Sequence, residues 1–375
     1  MKKIALILVA ALLTGLFAGC AGTPVVYYTN CTCPVAEGNG AASVQTPAAD
    51  TQPDASVPEA TVAVEEAPFE GALRTGMDIT CTVNKSKSAT AEEAGEVSYD
   101  VTVVAVLVDE NGVIVDCKLD SIGAAVKIDA TGAIIGLPEN IQTKNELGAA
   151  YNMVLYGGAI AEWDQQAAAL ANYAIGKTVE ELKTGAVNES GYAADADLAS
   201  SATIYLGGYV ASIEAAVASA QYKGAKEGDE LRLATLSKVS SSTAADAENA
   251  GNSQLDTDVV ALTLEGGTTI TSCVIDSLQA KVAFDATGTI TSDLSAPVLT
   301  KNELGENYNM VAWGGAIAEW DQQAASFCEY VTGKTVADVA GIAVDAGTKP
   351  TDADLNTSVT IAIGGFQALI AKAAQ

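Results

Sequence analysis

The sequence contains no histidine and has few basic or aromatic residues. There are 19 Lys and Arg against 47 Asp and Glu, so the formal net charge is −28 at pH 7. The lack of imidazole excludes histidine metal sites, Ser-His-Asp triads and the usual attachment motif of c-type haem. The negative charge repels the phosphates of nucleic acids and anionic lipid head groups, so no nucleic-acid partner is expected.

Long apolar runs are also scarce, and the clearest one lies at the N-terminus. Two lysines precede the apolar residues 4–17, and Ala18-Gly19-Cys20 follows. This order predicts a secretory signal peptide over residues 1–19. A cysteine after small residues resembles the bacterial lipobox, although Phe17 stands where Leu is usual. The resemblance implies a lipidated Cys20 that holds the chain at the extracytoplasmic face of the cell membrane. Secretion with a free Cys20 thiol is the alternative.

Residues 20–68 are rich in Thr, Pro, Ala, Val, Glu and Gln and show no periodicity. This composition is typical of a disordered tether, which at this length spans about 35–40 Å on average. Cys31 and Cys33 lie within it, and no further metal ligand is nearby. We expect a local disulfide or two idle thiols there.

The rest of the chain is one unit repeated. Residues 143–179 and 300–336 are identical at 27 of 37 aligned positions, and the pairing continues upstream to Cys117 and Cys273. The duplication predicts two domains of about 150 residues, repeat 1 at 69–222 and repeat 2 at 223–375. Because each copy holds a full set of predicted strands and helices, each is expected to fold alone.

Each copy opens with a predicted β-hairpin. In the first, apolar residues 101–108 and 113–119 flank the turn sequence Asp109-Glu-Asn-Gly112. In the second, residues 259–264 and 269–275 flank a Glu-Gly-Gly turn. A further pair of short strands is predicted around each Asp-Ala-Thr-Gly turn.

Helices follow the strands in each copy. Apolar residues spaced by three and four predict a helix over residues 159–175 that ends at Gly176, with Trp163 in the core. The stripe consists of Ile160, Trp163, Ala167, Leu170 and Ala174. Thr178 and Thr335 each begin a capping box of a further short helix. The predicted fold class is α+β, with two tandem copies of an antiparallel sheet covered on one side by helices.

Hydroxyl residues precede a Gly-Gly pair and a helix at the end of each copy. The residues are Asp197, Ser200, Thr203, Gly207 and Gly208 in the first copy, and Asp354, Thr357, Thr360, Gly364 and Gly365 in the second. Exposed amides at a helix N-terminus attract phosphate, so this segment is the candidate binding site for a phosphate-bearing cofactor.

The segment resembles the D-x-x-[ST]-G-A-T motif of FMN-binding domains. These domains occur in sodium-pumping NADH:quinone reductase subunits, related electron-transport complexes and bacterial surface lipoproteins. In that family a flavin transferase esterifies the last Thr of the motif with the FMN phosphate. The resemblance implies Thr203 and Thr360 as attachment hydroxyls, with Asp197, Ser200, Asp354 and Thr357 as the other motif positions. The chain departs from the motif at Ser201 and Ser358, where the family has Gly, and at Val359, where it has Ala.

The resemblance implies a membrane-anchored electron carrier with covalent FMN in each repeat. Its partners would be a flavin transferase and redox proteins, and it would have no substrate of its own. The alternative is a cofactor-free surface lipoprotein whose repeats bind a ligand, a wall component or a partner protein. Its motif hydroxyls would face a strand edge and its Asp would cap a turn. The sequence shows no nucleophile-base pair, which argues against a hydrolase.

Three other features have two interpretations each. The pairs Asp195/Asp197 and Asp352/Asp354 bind a hard cation or, in the favoured interpretation, form turns. Tyr156 and Trp313 each precede Gly-Gly and stack on a flavin or pack on the sheet. Cys117 and Cys273 form a bridge between the repeats or, by default, are buried thiols.

Overall fold

The computed structural model describes residues 67–375. They form a mixed α+β structure with antiparallel sheets and eleven α-helices, which confirms the predicted class. The predicted signal peptide, the Cys20 lipidation site, the Cys31/Cys33 pair and nearly all of the tether lie outside the described residues. Within residues 67–375, no helix is both long enough and apolar enough to cross a membrane.

The first half of the described chain contains five strands and six helices. The strands are β1 (Ala72–Thr82), β2 (Gly95–Val108), β3 (Ile114–Ile128), β4 (Ile134–Gly136) and β5 (Gln221–Lys226). The helices are α1 (Lys144–Leu147), α2 (Met153–Gly157), α3 (Trp163–Ala174), α4 (Val179–Ala186), α5 (Ala196–Ser201) and α6 (Gly207–Ala218). A 3-10 turn, Gly148–Tyr151, joins α1 to α2.

The second half repeats this order of elements. Its strands are β6 (Glu230–Lys238), β7 (Gly251–Glu265) and β8 (Thr269–Phe284). Its helices are α7 (Lys301–Leu304), α8 (Met310–Gly314), α9 (Trp320–Val331), α10 (Val336–Ala340) and α11 (Gly364–Ala373). A single bridge between Phe284 and Ile290 replaces β4, and the 3-10 turn Leu355–Thr357 replaces α5.

The strands form two antiparallel sheets, one of order β4-β3-β2-β1-β5 and one of order β6-β7-β8. Both predicted hairpins are present, and their strands are longer than the apolar runs. β2 starts six residues before Val101, because residues 95–102 alternate between buried and half-buried positions. A strand with one partly exposed face shows this alternation and no continuous apolar run.

An aspartate builds the turn between β2 and β3. Asp109 Oδ1 accepts hydrogen bonds from the amides of Asn111 and Val113, at 2.9 and 2.8 Å. Gly112 completes the turn with a φ of 80°, a conformation that favours glycine. Asp129 and Asp285 build the Asp-Ala-Thr-Gly turns in the same way.

The long helix is shorter than predicted. α3 begins at Trp163, and residues 159–162 are not helical, so exposed Ile160 does not belong to the buried stripe. Glu162 is the reason, because its carboxylate accepts hydrogen bonds from the amides of Met153 and Val154. That carboxylate therefore caps α2 while the Glu162 backbone stays extended ahead of α3. The predicted capping boxes at Thr178 and Thr335 are both present.

Helices cover one face of each sheet. In the first half, buried side chains of α3 and α6 pack on β2 and β3, with Trp163 and Leu170 at the centre. In the second half, α9 and α11 do the same around Trp320 and Phe327. The sequence-based assignment of both tryptophans to the core is thus confirmed.

The other face of each sheet packs against the sheet of the other half. Two clusters of buried residues contain side chains from both halves, and all of them belong to one compact unit. The Tyr99 hydroxyl donates to Ser253 Oγ at 2.7 Å, and the Thr75 and Ser272 hydroxyls are 2.7 Å apart. Strand β5, which spans the predicted boundary at residue 222, pairs with β1. The two halves therefore share a core.

Candidate functional site

The candidate attachment residues lie just before the last helix of each half. Thr203 follows α5, Thr360 follows the 3-10 turn Leu355–Thr357, and α6 and α11 begin four residues later. Thr203 is exposed and Thr360 is half-buried. Neither threonine is buried.

The motif residues before Thr203 form helix α5, and those before Thr360 lead into the 3-10 turn Leu355–Thr357. Asp195 caps α5, since its Oδ1 accepts hydrogen bonds from the amides of Asp197 and Leu198 at 2.9 and 3.0 Å. Asp352 makes the equivalent bonds in the second half. The first aspartate of each pair therefore caps the backbone segment that follows it. In residues 67–375, no group of three or more acidic or cysteine side chains is arranged to hold a metal ion.

The small hydroxyl positions also serve the backbone. Ser200 Oγ donates to the carbonyl of Asp197 at 2.7 Å, and Thr357 Oγ1 donates to the carbonyl of Asp354 at the same distance. The structure thus places Ser200, Thr357, Asp197 and Asp354 in the capped turn that precedes each threonine. Their observed contacts shape that turn.

A buried glutamine on α3 anchors Thr203. Gln166 Oε1 accepts hydrogen bonds from the amides of Thr203 and Ile204, at 2.7 and 3.1 Å, and from the Thr203 hydroxyl at 3.3 Å. Gln166 Nε2 donates to the carbonyl of Ala161 at 2.7 Å. One side chain therefore holds the threonine segment against the loop before α3.

The same anchor occurs in the second half. Gln323 Oε1 accepts from the amides of Thr360 and Ile361 at 2.8 and 3.2 Å, and from the Thr360 hydroxyl at 3.2 Å. Neither glutamine was predicted from the sequence. In the sequence, each glutamine is a polar residue three positions after the tryptophan on the apolar side of its helix, and it lies in a block that is identical in both copies.

Replacing the anchor should weaken the fold around the threonine. In Gln166→Leu, the amides of Thr203 and Ile204 lose their acceptor, and we expect the free energy of unfolding to fall by about 2 kcal/mol. Urea denaturation measures this, and faster hydrogen exchange at Thr203 localises it. The exposed neighbour provides the control, since Gln165→Leu should change stability little. Equal stability of the two variants would show that the anchor is dispensable.

The glycine pairs have two different roles. A Cβ on Gly207 would lie 2.7 Å from the Tyr205 hydroxyl, and one on Gly364 would lie 2.9 Å from Thr348 Cβ. Packing alone therefore explains these two glycines. Gly208 and Gly365 have no such close neighbour. Their amides lie in the first helical turn, where backbone N–H groups have no partner within the helix.

A lysine and three aromatic rings surround the start of α6. Lys144 Nζ lies 5.4 Å from the Tyr151 ring centre and 5.0 Å from that of Trp163. The Trp163 indole donates to the Tyr209 hydroxyl at 3.1 Å, which links this cluster to the first turn of α6. Burial lowers the pKa of Lys144, and the carboxylate of Asp100 opposes this shift.

The second half keeps the lysine but differs near its helix. Lys301 Nζ lies 5.2 Å from the centre of the Tyr308 ring and 4.6 Å from that of Trp320. Phe366 replaces Tyr209 and packs edge-on against Trp320. A Cβ on Gly365 would lie 3.7 Å from Asp258 Oδ2, so a carboxylate stands beside the first turn of α11. That charge makes the second site less favourable for phosphate.

An exposed apolar loop adjoins each site. Tyr156 and Trp313, at the ends of α2 and α8, are 83% and 84% exposed, and Ile160 and Ile317 are also exposed. The rings therefore do not pack on the sheet, which was one of the two expectations. The loop is tied to the threonine segment through Gln166, whose amide contacts Ala161 and Met153 Sδ.

Comparison with known proteins identifies no relative. No protein-family model, curated protein or solved structure matches this chain. Two threonines that are not buried are each held by a glutamine and lie four residues before the start of a helix. Neither hydroxyl has a base as its hydrogen-bond partner, only a glutamine oxygen. Such hydroxyls accept a group from an external enzyme better than they act as nucleophiles unaided.

The four cysteines within residues 67–375 contribute no further site. Cys81, Cys117, Cys273 and Cys328 are buried free thiols, so Cys117 and Cys273 follow the default expectation and form no bridge. Burial raises the pKa of the Cys81 and Cys117 thiols to about 12. Thiols with such a pKa are protonated at neutral pH and react slowly.

Proposed function

We propose that this chain is a membrane-anchored, extracytoplasmic electron carrier with FMN esterified to Thr203 and Thr360. In this proposal residues 69–222 and 223–375 are tandem copies of an FMN-binding-like domain, a signal peptide and tether precede them, and Cys20 carries the lipid anchor. The observation that carries the proposal is the rigid presentation of each motif threonine by a buried glutamine.

The residues around Thr203 fit the parts of FMN. The phosphate would lie between the Thr203 oxygen and the amides that follow Gly207 in the first turn of α6, where the helix dipole favours negative charge; the Gly207 amide itself donates to the carbonyl of Gly191. The half-buried Lys144 adds positive charge on the same side of the first half. The exposed Tyr156 and Ile160 offer apolar surface to a flat ring. When bound, FMN supplies the ability to take up and release electrons one or two at a time.

The geometry ranks the two sites. Both halves keep the lysine, but Thr203 is exposed, whereas Thr360 is half-buried and α11 starts beside Asp258. The adjoining Val359 is buried and departs from the motif. We therefore expect Thr203 to be modified more completely than Thr360.

Co-expression with a Mg-dependent flavin transferase that uses FAD tests the proposal. Intact mass spectrometry should show up to two flavin-sized mass increases on the full chain. Thr203→Ala and Thr360→Ala should each remove one of them, and the double variant should remove both. Ser190→Ala and Thr291→Ala are the controls, because they remove exposed hydroxyls that lie outside the motif and should leave labelling unchanged.

The absence of flavin labelling would contradict the electron-carrier proposal. If neither threonine gains mass while a known flavinylated domain is labelled in the same cells, the electron-carrier proposal is wrong. The cofactor-free binding function then remains, and the exposed rings of Tyr156 and Trp313 become its first candidate contact surface.

A further inference from the structure

Two clefts lie between the two halves of the fold. The Asp78 cleft has a volume of about 710 Å³ and lies between β1 and α6 of the first half and β8, α7 and α9 of the second. The Lys372 cleft has a volume of about 400 Å³ and is lined by β6 and α11 together with β3, α1 and α3. The two clefts are thus built from equivalent elements with the halves exchanged.

In the Lys372 cleft a primary ammonium group connects the halves. Lys372, on α11, forms an ion pair with Glu146 on α1. Its Nζ also donates to the carbonyl of Thr235 on the edge strand β6, at 2.7 Å. A carboxylate and a strand-edge carbonyl therefore make up an ammonium site that the protein fills itself.

The Asp78 cleft has the same site without the ammonium. The strand register and the repeat offset place Glu303 at the position of Glu146, and Ile79 at the position of Thr235. Both residues line the cleft. The residue equivalent to Lys372 is Ala215, which is exposed and too short to reach them. Beyond Thr75, this edge of β1 pairs with no strand of the described sheet.

The carboxyl group of Asp78 makes the cleft more favourable for a cation. It occupies the position of Ala234 in the other half, and its buried Oδ2 has no hydrogen-bond partner. Burial raises the pKa of Asp78, the Ser212 hydroxyl opposes this, and the charge of Glu303 raises it further. Two facing carboxylates without a cation are unfavourable, so this arrangement suits a positively charged ligand.

The other residues that line the Asp78 cleft indicate the chemical class of its ligand. One basic side chain, the exposed Lys223, faces five acidic ones: Asp78, Asp276, Glu303, Asp321 and Glu329. Apolar side chains fill the spaces between them, among them Met77, Ile79, Ala218 and Ile275. The volume is in the range of small-molecule sites. A cation with N–H donors and an aliphatic body matches this lining, while an anion does not.

We propose that the Asp78 cleft binds a primary alkylammonium ligand, whose ammonium group takes the place that Lys372 Nζ holds in the other cleft. The ammonium donates hydrogen bonds to Glu303, to the unpartnered oxygen of Asp78 and to the strand edge at Ile79. Charge-assisted hydrogen bonds of this kind are stronger than neutral ones. The aliphatic chain lies on the apolar lining. This site is separate from the threonine sites and independent of flavin.

Calorimetric titration of the full chain with 1,4-diaminobutane at pH 7 tests the proposal. We expect saturable binding of one molecule per chain. Two probes separate the contributions: 1,4-butanediol has the same length without charge, and tetramethylammonium has charge without N–H donors. Each should bind at least tenfold more weakly than the diamine.

Two variants locate the site. Ala215→Lys should supply an internal ammonium as Lys372 does, so it should abolish diamine binding and raise the melting temperature. Asp78→Asn should weaken binding at least tenfold. Glu110→Gln, in the exposed β2–β3 turn, changes the net charge equally and should bind as the unmodified chain does.

The proposal fails if the chain does not bind the diamine, or if the diol or tetramethylammonium binds equally well. It also fails if folded Ala215→Lys and Asp78→Asn proteins retain the original affinity. Circular dichroism of each variant establishes that it is folded before the titration.

Discussion

Neither half of this protein should fold when it is produced alone. A cut at Gly228, between β5 and β6, yields residues 67–228 and 229–375, each with its own helices and strands. Each fragment would expose the sheet face that is covered in the intact protein. The first half would expose Tyr99, Val101, Val103 and Leu107 among others, and the second Leu255, Val259 and Leu278.

The free energy lost by exposing these side chains is large enough to unfold each fragment. Exposing that many aliphatic and aromatic side chains costs about 10 kcal/mol or more, while a domain is stable by about 5–15 kcal/mol in total. Buried hydroxyls that now pair across the interface, such as those of Tyr99 and Ser253, also lose their partners. We expect little cooperative unfolding in either fragment.

Thermal unfolding followed by circular dichroism measures the effect, with sedimentation to detect self-association. The intact range 67–375 is the control and should unfold in one transition. Mixing the fragments should restore a folded complex. Two monomeric fragments that each unfold cooperatively would show that the shared core is not needed, in agreement with the sequence-based expectation.

The duplication could be predicted from the sequence, because the two copies can be aligned residue by residue. Elements with strong local signals could be predicted as well. The hairpin at Asp109-Gly112 and the capping boxes at Thr178 and Thr335 each depend on residues at most four positions apart, and all three are present. Local hydrogen bonds determine such features, so a local pattern predicts them.

Contacts between residues that are distant in the chain could not be predicted from local patterns. An apolar run such as residues 101–108 is buried on both faces, and the run does not say whether helices or a second sheet cover the second face. The Glu162 carboxylate that caps α2 lies nine residues from the amide of Met153, so the start of α3 was misplaced. Such long-range partners determine where elements end.

The candidate site was predicted in part. The motif identified Thr203 and Thr360, but their anchors Gln166 and Gln323 lie 37 residues away in the chain. Helix α5 was also missed, because Asp195 and Asp197 were interpreted as turn-forming residues and no helix was predicted there. A polar residue on an apolar helical stripe, repeated in both copies, is the pattern to examine for such anchors.

Asp276 should make the stability of this protein fall as pH rises above about 4. Its side chain is 7% exposed, and burial raises its pKa to about 6, helped by the charge of Glu303. Hydrogen bonds from the Thr300 hydroxyl and from the amides of Ser277 and Asn302 lower the pKa but do not cancel the effect. The folded state therefore favours the protonated carboxyl.

The direction of this pH dependence follows from the difference between the pKa values of Asp276 in the folded and unfolded states. A carboxyl with a pKa near 3.8 when unfolded and about 6 when folded contributes stability below pH 3.8, and this contribution is lost as pH rises through 6. Asp276→Asn cannot ionise, and its amide oxygen still accepts the two backbone hydrogen bonds. Relative to the unmodified chain, its stability should rise between pH 4 and pH 7 by about 2 kcal/mol.

Urea denaturation in amine-free buffers at pH 4, 5.5 and 7 measures this difference. Asp120→Asn, at the equivalent position, should change in the same direction, because burial also raises the pKa of Asp120. Asp285→Asn is the control of opposite sign. Hydrogen bonds from Thr287 and Thr289 lower the pKa of exposed Asp285, so its loss should destabilise the protein more at pH 7 than at pH 4. A stability difference for Asp276→Asn that is the same at all three pH values would mean that Asp276 ionises as freely in the folded protein as in the unfolded chain.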